Sequence, residues 1–131
     1  MSARQVIRNI SIADLVRYRL PVPGVLSILH RISGALMFVL LPLTLWLFDL
    51  SLRSESSYQQ VRQATDGWFV KAILAALTWA LLHHLVAGIR YLLLDLDLGV
   101  DRRTARGSAW TVLAVSLPLS LWAALIIFGV L

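Results

Sequence analysis

Near its start, the first apolar segment carries three polar residues that lipid accommodates only at a cost, together with a glycine. Their spacing of i, i+3, i+4 and i+7 puts them on one helical face: Ser27, His30, Arg31 and Gly34. The apolar run beside them continues to Phe48, and an arginine inside a bilayer costs roughly 2.5–3.5 kcal/mol on insertion scales. The stripe must therefore face a bundle interior, a partner chain or a cavity, where its hydroxyl, imidazole and guanidinium groups can bind a polar ligand.

The second apolar segment carries two further polar faces, about 100° apart around the helix. The first face consists of His84, Gly88 and Tyr91, and the second of His83, Ala87 and Arg90. Depth can be counted at 1.5 Å per residue from the segment ends near Gly24 and Asp95. On this count His84 lies roughly 16 Å deep, near the bilayer centre, whereas His30, Arg31 and Arg90 lie at roughly 10 Å or less.

A neutral imidazole near the bilayer centre can ligate a metal, and Gly88 leaves room beside it for a large flat group. Haem has this shape, and axial histidines hold its iron. Its anionic propionates would need cations nearby, and His30, Arg31 and Arg90 are candidates. Two axial nitrogens lie about 4 Å apart. On the depth count His30 is about 6 Å too shallow to be the second ligand, and His83 points away, so we expect another subunit to supply it.

Each of these residues also has a purely structural interpretation. An intramembrane histidine can hydrogen-bond across helices, and an arginine near an interface can extend its charge to the surface. For His83 alone the structural interpretation is preferred. For the matched set on two helices, the cofactor interpretation explains more of the residues together.

The segments that must position these residues are three apolar stretches of a 131-residue chain that is 59% hydrophobic, with a mean hydropathy of +0.78. Each is long enough for a bilayer crossing. We predict a single-domain, all-α integral membrane protein spanning residues 1–131, with transmembrane helices at about 25–51, 68–97 and 108–131. Residues 1–20 are expected to form a short interfacial segment, and 53–67 and 95–108 to form the outer and inner loops.

The charge pattern predicts the orientation of the helices. Nine basic residues flank one side of the predicted crossings: Arg4, Arg8, Arg17, Arg19, Arg31, Arg90, Arg102, Arg103 and Arg106. Three lie on the other side: Arg53, Arg62 and Lys71. By the positive-inside rule the N-terminus is cytoplasmic, and a multi-pass protein of a bacterial inner membrane is expected. The arginines flank crossings, which disfavours a nucleic-acid-binding role.

The composition also limits the redox chemistry that the chain can carry. There is no cysteine, which excludes thiolate-held iron–sulfur clusters and covalent haem attachment through C-x-x-C-H. The seven glycines form neither G-x-G-x-x-G nor a P-loop. Flavin and clusters, if redox chemistry is involved, must therefore lie on partner chains.

Two motifs at this spacing resemble a known family over essentially the whole chain. The first is Ser27-Ile-Leu-His30-Arg31-Ile-Ser33 followed by Gly34, with Tyr18-Arg19-Leu20-Pro21 before it. The second is His84-x-x-x-Gly88-Ile89-Arg90 followed by Asp95. They are similar to the motifs of the cytochrome b membrane-anchor subunit of succinate dehydrogenase (complex II). The chain departs from the family pattern at Tyr91, Leu94 and Asp97, and it lacks the upstream Arg-Pro pair.

The resemblance implies an electron-transfer role in succinate:quinone oxidoreductase, an enzyme of the tricarboxylic acid cycle. It implies a haem b shared with a second small anchor subunit, with His84 as axial ligand of the haem iron and with His30 and Arg31 near the propionates. It also implies a quinone site, for ubiquinone or menaquinone, that includes Ser27 and Arg31. The electrons would come from an iron–sulfur subunit and a flavoprotein subunit. Two alternatives stay open: a fumarate reductase anchor, and a small multi-pass protein without a cofactor.

Overall fold

The computed structural model describes residues 18–131, and within them all regular structure is helical. The four helices are α1 (Val22–Arg53), α2 (Glu55–Thr65), α3 (Trp68–Asp95) and α4 (Arg102–Ile127). Three of them, α1, α3 and α4, are long and apolar enough to cross a membrane. The predicted all-α class with three membrane-spanning helices is therefore confirmed. The predicted interfacial segment lies, up to residue 17, outside the described residues.

The start of α1 differs from the expectation that the helix follows Gly24. Pro21 is extended and caps the helix, which begins at Val22 and has Pro23 in its first turn. A proline is tolerated there because the N–H that it lacks has no partner within the first turn, and its fixed φ already suits the helix. The two prolines near the start of the first span therefore begin the helix instead of delaying it.

The segment between the first two spans is helical, so the prediction of an outer loop over 53–67 is wrong. Helix α2 starts with a capping box: the Ser54 hydroxyl accepts from the Ser57 backbone N–H, and the Ser57 hydroxyl accepts from the Ser54 backbone N–H. Between Ser54 and Asp66 the sequence has no glycine or proline. The serine-rich composition indicated a loop, but two of these serines satisfy the unpaired donors at a helix start.

Helix α3 lies between the other two spans, and small residues line its contacts. The fully buried alanines of the bundle are Ala80 and Ala87 on α3 and Ala109 on α4. Small side chains let membrane helices approach closely, which increases van der Waals packing where no hydrophobic force drives helices together. Large apolar side chains point outward instead, as Phe38 does with 79% exposure. Such a surface suits lipid or neighbouring subunits.

The connection from α3 to α4 is a tight turn that brings the start of α4 back beside the end of α3. Its first part is a Schellman motif, in which the Leu98 N–H donates to the Leu93 carbonyl and the Asp97 N–H to the Leu94 carbonyl. Asp97 occupies the left-handed position of this motif with φ of 58°. The Asp101 carboxylate then accepts from the backbone N–H groups of Arg103 and Thr104. Helix α4 consequently starts at Arg102, earlier than the expected residue 108.

The left-handed residue gives the first testable prediction. Asp97→Val is expected to lower the stability of the protein by about 1–2 kcal/mol, because a β-branched side chain clashes with the backbone at positive φ. Asp97→Gly is the matched control and is expected to be at least as stable as the native chain, since glycine reaches this conformation freely. The thermal midpoints of the detergent-purified proteins measure the difference, and equal midpoints for the two variants would contradict it.

Candidate functional site

The imidazole of His84 on α3 faces α1 and meets two acceptors there. Its Nδ1 lies 3.1 Å from the backbone oxygen of His30 and 3.3 Å from Oγ of Ser33. A carbonyl oxygen can only accept, so Nδ1 carries the proton, and Nε2 of the neutral ring keeps its lone pair. Within residues 18–131 no hydrogen bond reaches that Nε2. Nε2 is therefore a potential metal ligand, on a ring whose tautomer is fixed by its neighbours.

The His30 ring stacks on the His84 ring with centroids 4.0 Å apart and planes 15° apart. The predicted difference in depth of about 6 Å is therefore wrong. The count started α1 at Gly24 instead of Val22, which placed His30 two residues too shallow. The rings still cannot ligate one iron from opposite sides, because they lie face to face with no room for a metal between them. The expected second ligand from another subunit stays a prediction.

The close approach of α1 and α3 depends on a glycine to which the sequence argument assigned no role. A Cβ atom on Gly34 would lie 2.9 Å from Cε1 and 3.3 Å from Nδ1 of His84, inside normal contact distance. Gly88, expected to leave open space for a flat group, instead faces His30, whose Nε2 would lie 3.7 Å from an added Cβ. The imidazole of His30 occupies the space that the sequence argument left for a ligand beside Gly88.

Two buried polar atoms near the histidine pair have no hydrogen-bond partner within residues 18–131. They are Nε2 of His30 and the hydroxyl of Tyr91, on rings whose centroids lie 5.0 Å apart. Buried polar groups are almost always hydrogen-bonded, because leaving one unpaired costs about 1–3 kcal/mol. The two atoms therefore indicate a place where a ligand, water or partner supplies the missing hydrogen bonds.

The two predicted quinone-site residues lie on α1 without protein partners in the described part of the chain. Arg31 is exposed and Ser27 is half-buried, and neither side chain has a hydrogen bond or ion pair among residues 18–131. An exposed arginine two to three turns inside a membrane-spanning helix needs an interaction that lipid tails cannot supply. Their free donors are available to a bound molecule or a neighbouring subunit.

Arg90 does not join this cluster, although its depth made it a candidate, with His30 and Arg31, for a cation near the propionates. Its side chain is 6% exposed and crosses to α4, where Nε donates to the Ser108 hydroxyl and Nη2 to the Ala105 carbonyl. His83, on the same face, has its Nδ1 3.1 Å from the Ser116 hydroxyl. The face of α3 that carries Arg90 and His83 holds α4, while the face that carries His84 is turned to α1.

A groove of about 1000 Å³ lies between the first residues of α1 and α4. It is lined by Leu20, Pro21, Val22, Pro23, Val100, Arg102, Arg103, Ala105, Arg106, Gly107 and Trp110. None of the predicted site residues is among them. The polar groups of Ser27 and Arg31 thus lie outside this groove.

Comparison with known sequences identifies relatives along most of the chain. The family described as succinate dehydrogenase/fumarate reductase transmembrane subunit matches residues 7–123. A succinate dehydrogenase cytochrome b556 subunit of Coxiella burnetii is 38% identical over 105 residues, which are 79% of this chain and 83% of the relative. Subunits of the same name from Paracoccus denitrificans (29% over 111 residues, 85% of each chain) and Rickettsia typhi (30% over 107 residues, 82% and 83%) also match.

Proposed function

Since the chain belongs to the family of succinate dehydrogenase and fumarate reductase transmembrane subunits, we propose that it helps to bind a haem b and forms part of a quinone-reduction site. The observation that carries this proposal is the commitment of His84 Nδ1 to the His30 carbonyl. Metal-ligating histidines generally donate their other ring N–H to such an acceptor. Residues of this chain alone give His84 this arrangement.

On the haem side, His84 Nε2 is the ligand that this chain offers to the iron. Haem b, when bound, supplies a one-electron carrier. The unpartnered His30 Nε2 and the guanidinium of Arg31 are the groups that would receive its carboxylates. A second small anchor subunit would supply the other ligand to the iron, because the His30 ring is stacked on His84 and could not hold the same metal with it.

On the quinone side, Ser27 and Arg31 are the hydrogen-bond donors. A quinone that becomes a quinol gathers negative charge on its two oxygens before it is protonated. The Ser27 hydroxyl donates to one oxygen, and the fixed charge of Arg31 stabilises the developing negative charge in a site of low dielectric constant. The electrons arrive from a partner iron–sulfur subunit, which a flavoprotein subunit reduces. This chain binds neither the dicarboxylate nor the flavin.

The three long apolar helices make the chain a multi-pass membrane protein. The proposal places it in a bacterial inner membrane with the N-terminus in the cytoplasm, on the basis of the basic residues around the start of α1 and in the first turns of α4. The donors of Ser27 and Arg31 lie in the first turns of α1. They are therefore on the cytoplasmic side, which gives access to a cluster-bearing partner and to protons from water.

The quinone assignment is tested by two substitutions in the intact complex. Arg31→Leu is expected to lower succinate:quinone reductase activity by about a hundred-fold, because a donor to the developing charge is lost. Ser27→Ala removes one neutral hydrogen bond and is expected to lower it by about ten-fold or less. Reduction of an artificial dye by the soluble subunits should be unchanged in both variants.

Two matched controls separate a site effect from an assembly effect. Ser51→Ala changes a half-buried serine at the other end of α1 whose hydroxyl bonds only its own helix. Arg102→Leu removes an exposed arginine from the first turn of α4. Both should leave the quinone rate near that of the native complex. Equal losses in the quinone and dye assays of the Arg31 variant would mean defective assembly and would reject the assignment.

The matched family also includes fumarate reductase subunits, in which the electrons run in the opposite direction. The relatives named above are all subunits of succinate dehydrogenase, which favours the oxidation of succinate. The ratio of succinate oxidation to fumarate reduction by the purified complex decides between the two directions.

A further inference from the structure

Ser33 lies in the contact between α1 and α3, and the proposed function gives it no role. Its side chain is fully buried, with 0% exposure. The Oγ atom lies 2.8 Å from the His30 backbone oxygen, to which it donates, and 3.3 Å from Nδ1 of His84. Serine hydroxyls in helices often bond back to a carbonyl of the preceding turn. Here the same oxygen also reaches across to the imidazole of another helix.

Donors and acceptors can be assigned to Ser33, His30 and His84 because a carbonyl oxygen can only accept. Because the Ser33 proton goes to the His30 carbonyl, the lone pairs of Oγ are free to face the imidazole. The Nδ1–H of His84 then meets two acceptors, the His30 oxygen at 3.1 Å and the Ser33 oxygen at 3.3 Å. Two acceptors on the same side of α1 restrain the rotation of the ring about its Cβ–Cγ bond more than one acceptor would.

We infer that Ser33 is a positioning residue that fixes the plane of the His84 imidazole and with it the direction in which Nε2 presents its lone pair. The inference rests on the proposed function, because it concerns the imidazole as an iron ligand. Groups that hydrogen-bond the outer nitrogen of a ligating histidine orient the ring and tune the metal. Gly34, which is adjacent in sequence, has no side chain and so lets the same ring approach the surface of α1 beside Ser33.

The test uses the purified complex with Ser33→Ala and two readouts besides activity. In the oxidised state the EPR g values of a low-spin haem would change with the orientation of the imidazole plane of a ligating histidine. Redox titration gives the midpoint potential. We expect the largest g value and the midpoint potential to shift in Ser33→Ala, and haem retention to weaken by roughly ten-fold. Ser33→Thr keeps the hydroxyl and is expected to restore the native spectrum.

Ser120→Ala is the matched control. Ser120 is also buried, at 8% exposure, but its hydroxyl bonds only the Ser116 carbonyl of its own helix. Native g values and potential in Ser33→Ala would overturn the inference, and so would equal shifts in Ser33→Ala and Ser120→Ala, since packing would then be the cause. A native complex without haem, or a His84→Leu complex with an unchanged spectrum, would reject the proposed function itself, and the inference with it.

Discussion

Replacing His84 by leucine should remove most of the haem b from the complex and shift the spectrum of what remains. The substitution deletes the only Nε2 whose tautomer is set for metal binding within residues 18–131, while it keeps an apolar side chain of similar size between α1 and α3. Haem content per flavin and the reduced-minus-oxidised spectrum of the purified complex measure the effect.

Two further variants make this experiment specific. The His30 ring is stacked against His84 and its Nε2 has no partner in the described chain, so the double variant His30→Leu/His84→Leu removes both imidazoles and should abolish haem binding. His83→Leu removes the neighbouring, fully buried histidine, which contacts Ser116 on the other side of α3. It should lower stability but leave the haem spectrum in place. Native haem content in the His84 variant would reject the ligand assignment.

Gly34→Ala should also weaken haem binding, although it adds a single methyl group. The new Cβ would lie 2.9 Å from Cε1 of His84, so either the ring or the α1 backbone must move by several tenths of an ångström. Movement of the ring lengthens the 3.1 Å contact from Nδ1 to the His30 carbonyl. We expect haem affinity to fall by roughly ten-fold, as is common when the orienting partner of a metal ligand is disturbed.

The control for this variant is Gly107→Ala on α4. No atom lies within 4 Å of a Cβ added there, so the methyl group has open space. Alanine also has the higher helix propensity, by roughly 1 kcal/mol, so this variant should be at least as stable as the native chain and keep its haem. Haem titration of both variants tests the difference, and identical affinities would contradict the role of Gly34.

The sequence was sufficient to predict the fold class and the three spans. Long apolar runs define membrane helices without reference to tertiary contacts, because the bilayer imposes both their length and their helicity. The sequence failed where local hydrogen bonding decided the outcome. Serines 54 and 57 cap α2 in a segment whose composition indicated a loop. Pro23 lies inside the first turn of α1 instead of preceding it.

In the candidate site, helical periodicity correctly separated the face of α3 that carries His84 from the face that carries His83 and Arg90. The helix that a long side chain contacts was less predictable. The depth of Arg90 suggested a place near the cofactor, but its guanidinium donates hydrogen bonds to α4. The partner of this side chain depends on which helix packs on its face of α3, and the sequence alone does not give that. The depth count failed for His30 because α1 begins at Val22, two residues before the point from which the count started.

Ser33 and Gly34 were part of the recognised motif, yet nothing in one sequence assigned them a function. Their roles come from the approach of α3, which places His84 against both residues. A usable signal did exist: a small polar residue and a glycine side by side in an apolar helix are typical of close helix contacts in membranes. That pattern predicts a contact, but not which ring fills it.

The most direct test of the account is an experimental structure of the intact complex at a resolution that shows the orientation of the His84 imidazole. The account predicts an iron about 2 Å from His84 Nε2, with Nδ1 still facing the His30 carbonyl and the opposite ligand contributed by another subunit. An iron bound through Nδ1, or a His84 ring turned toward acyl chains with no metal near it, would contradict the account.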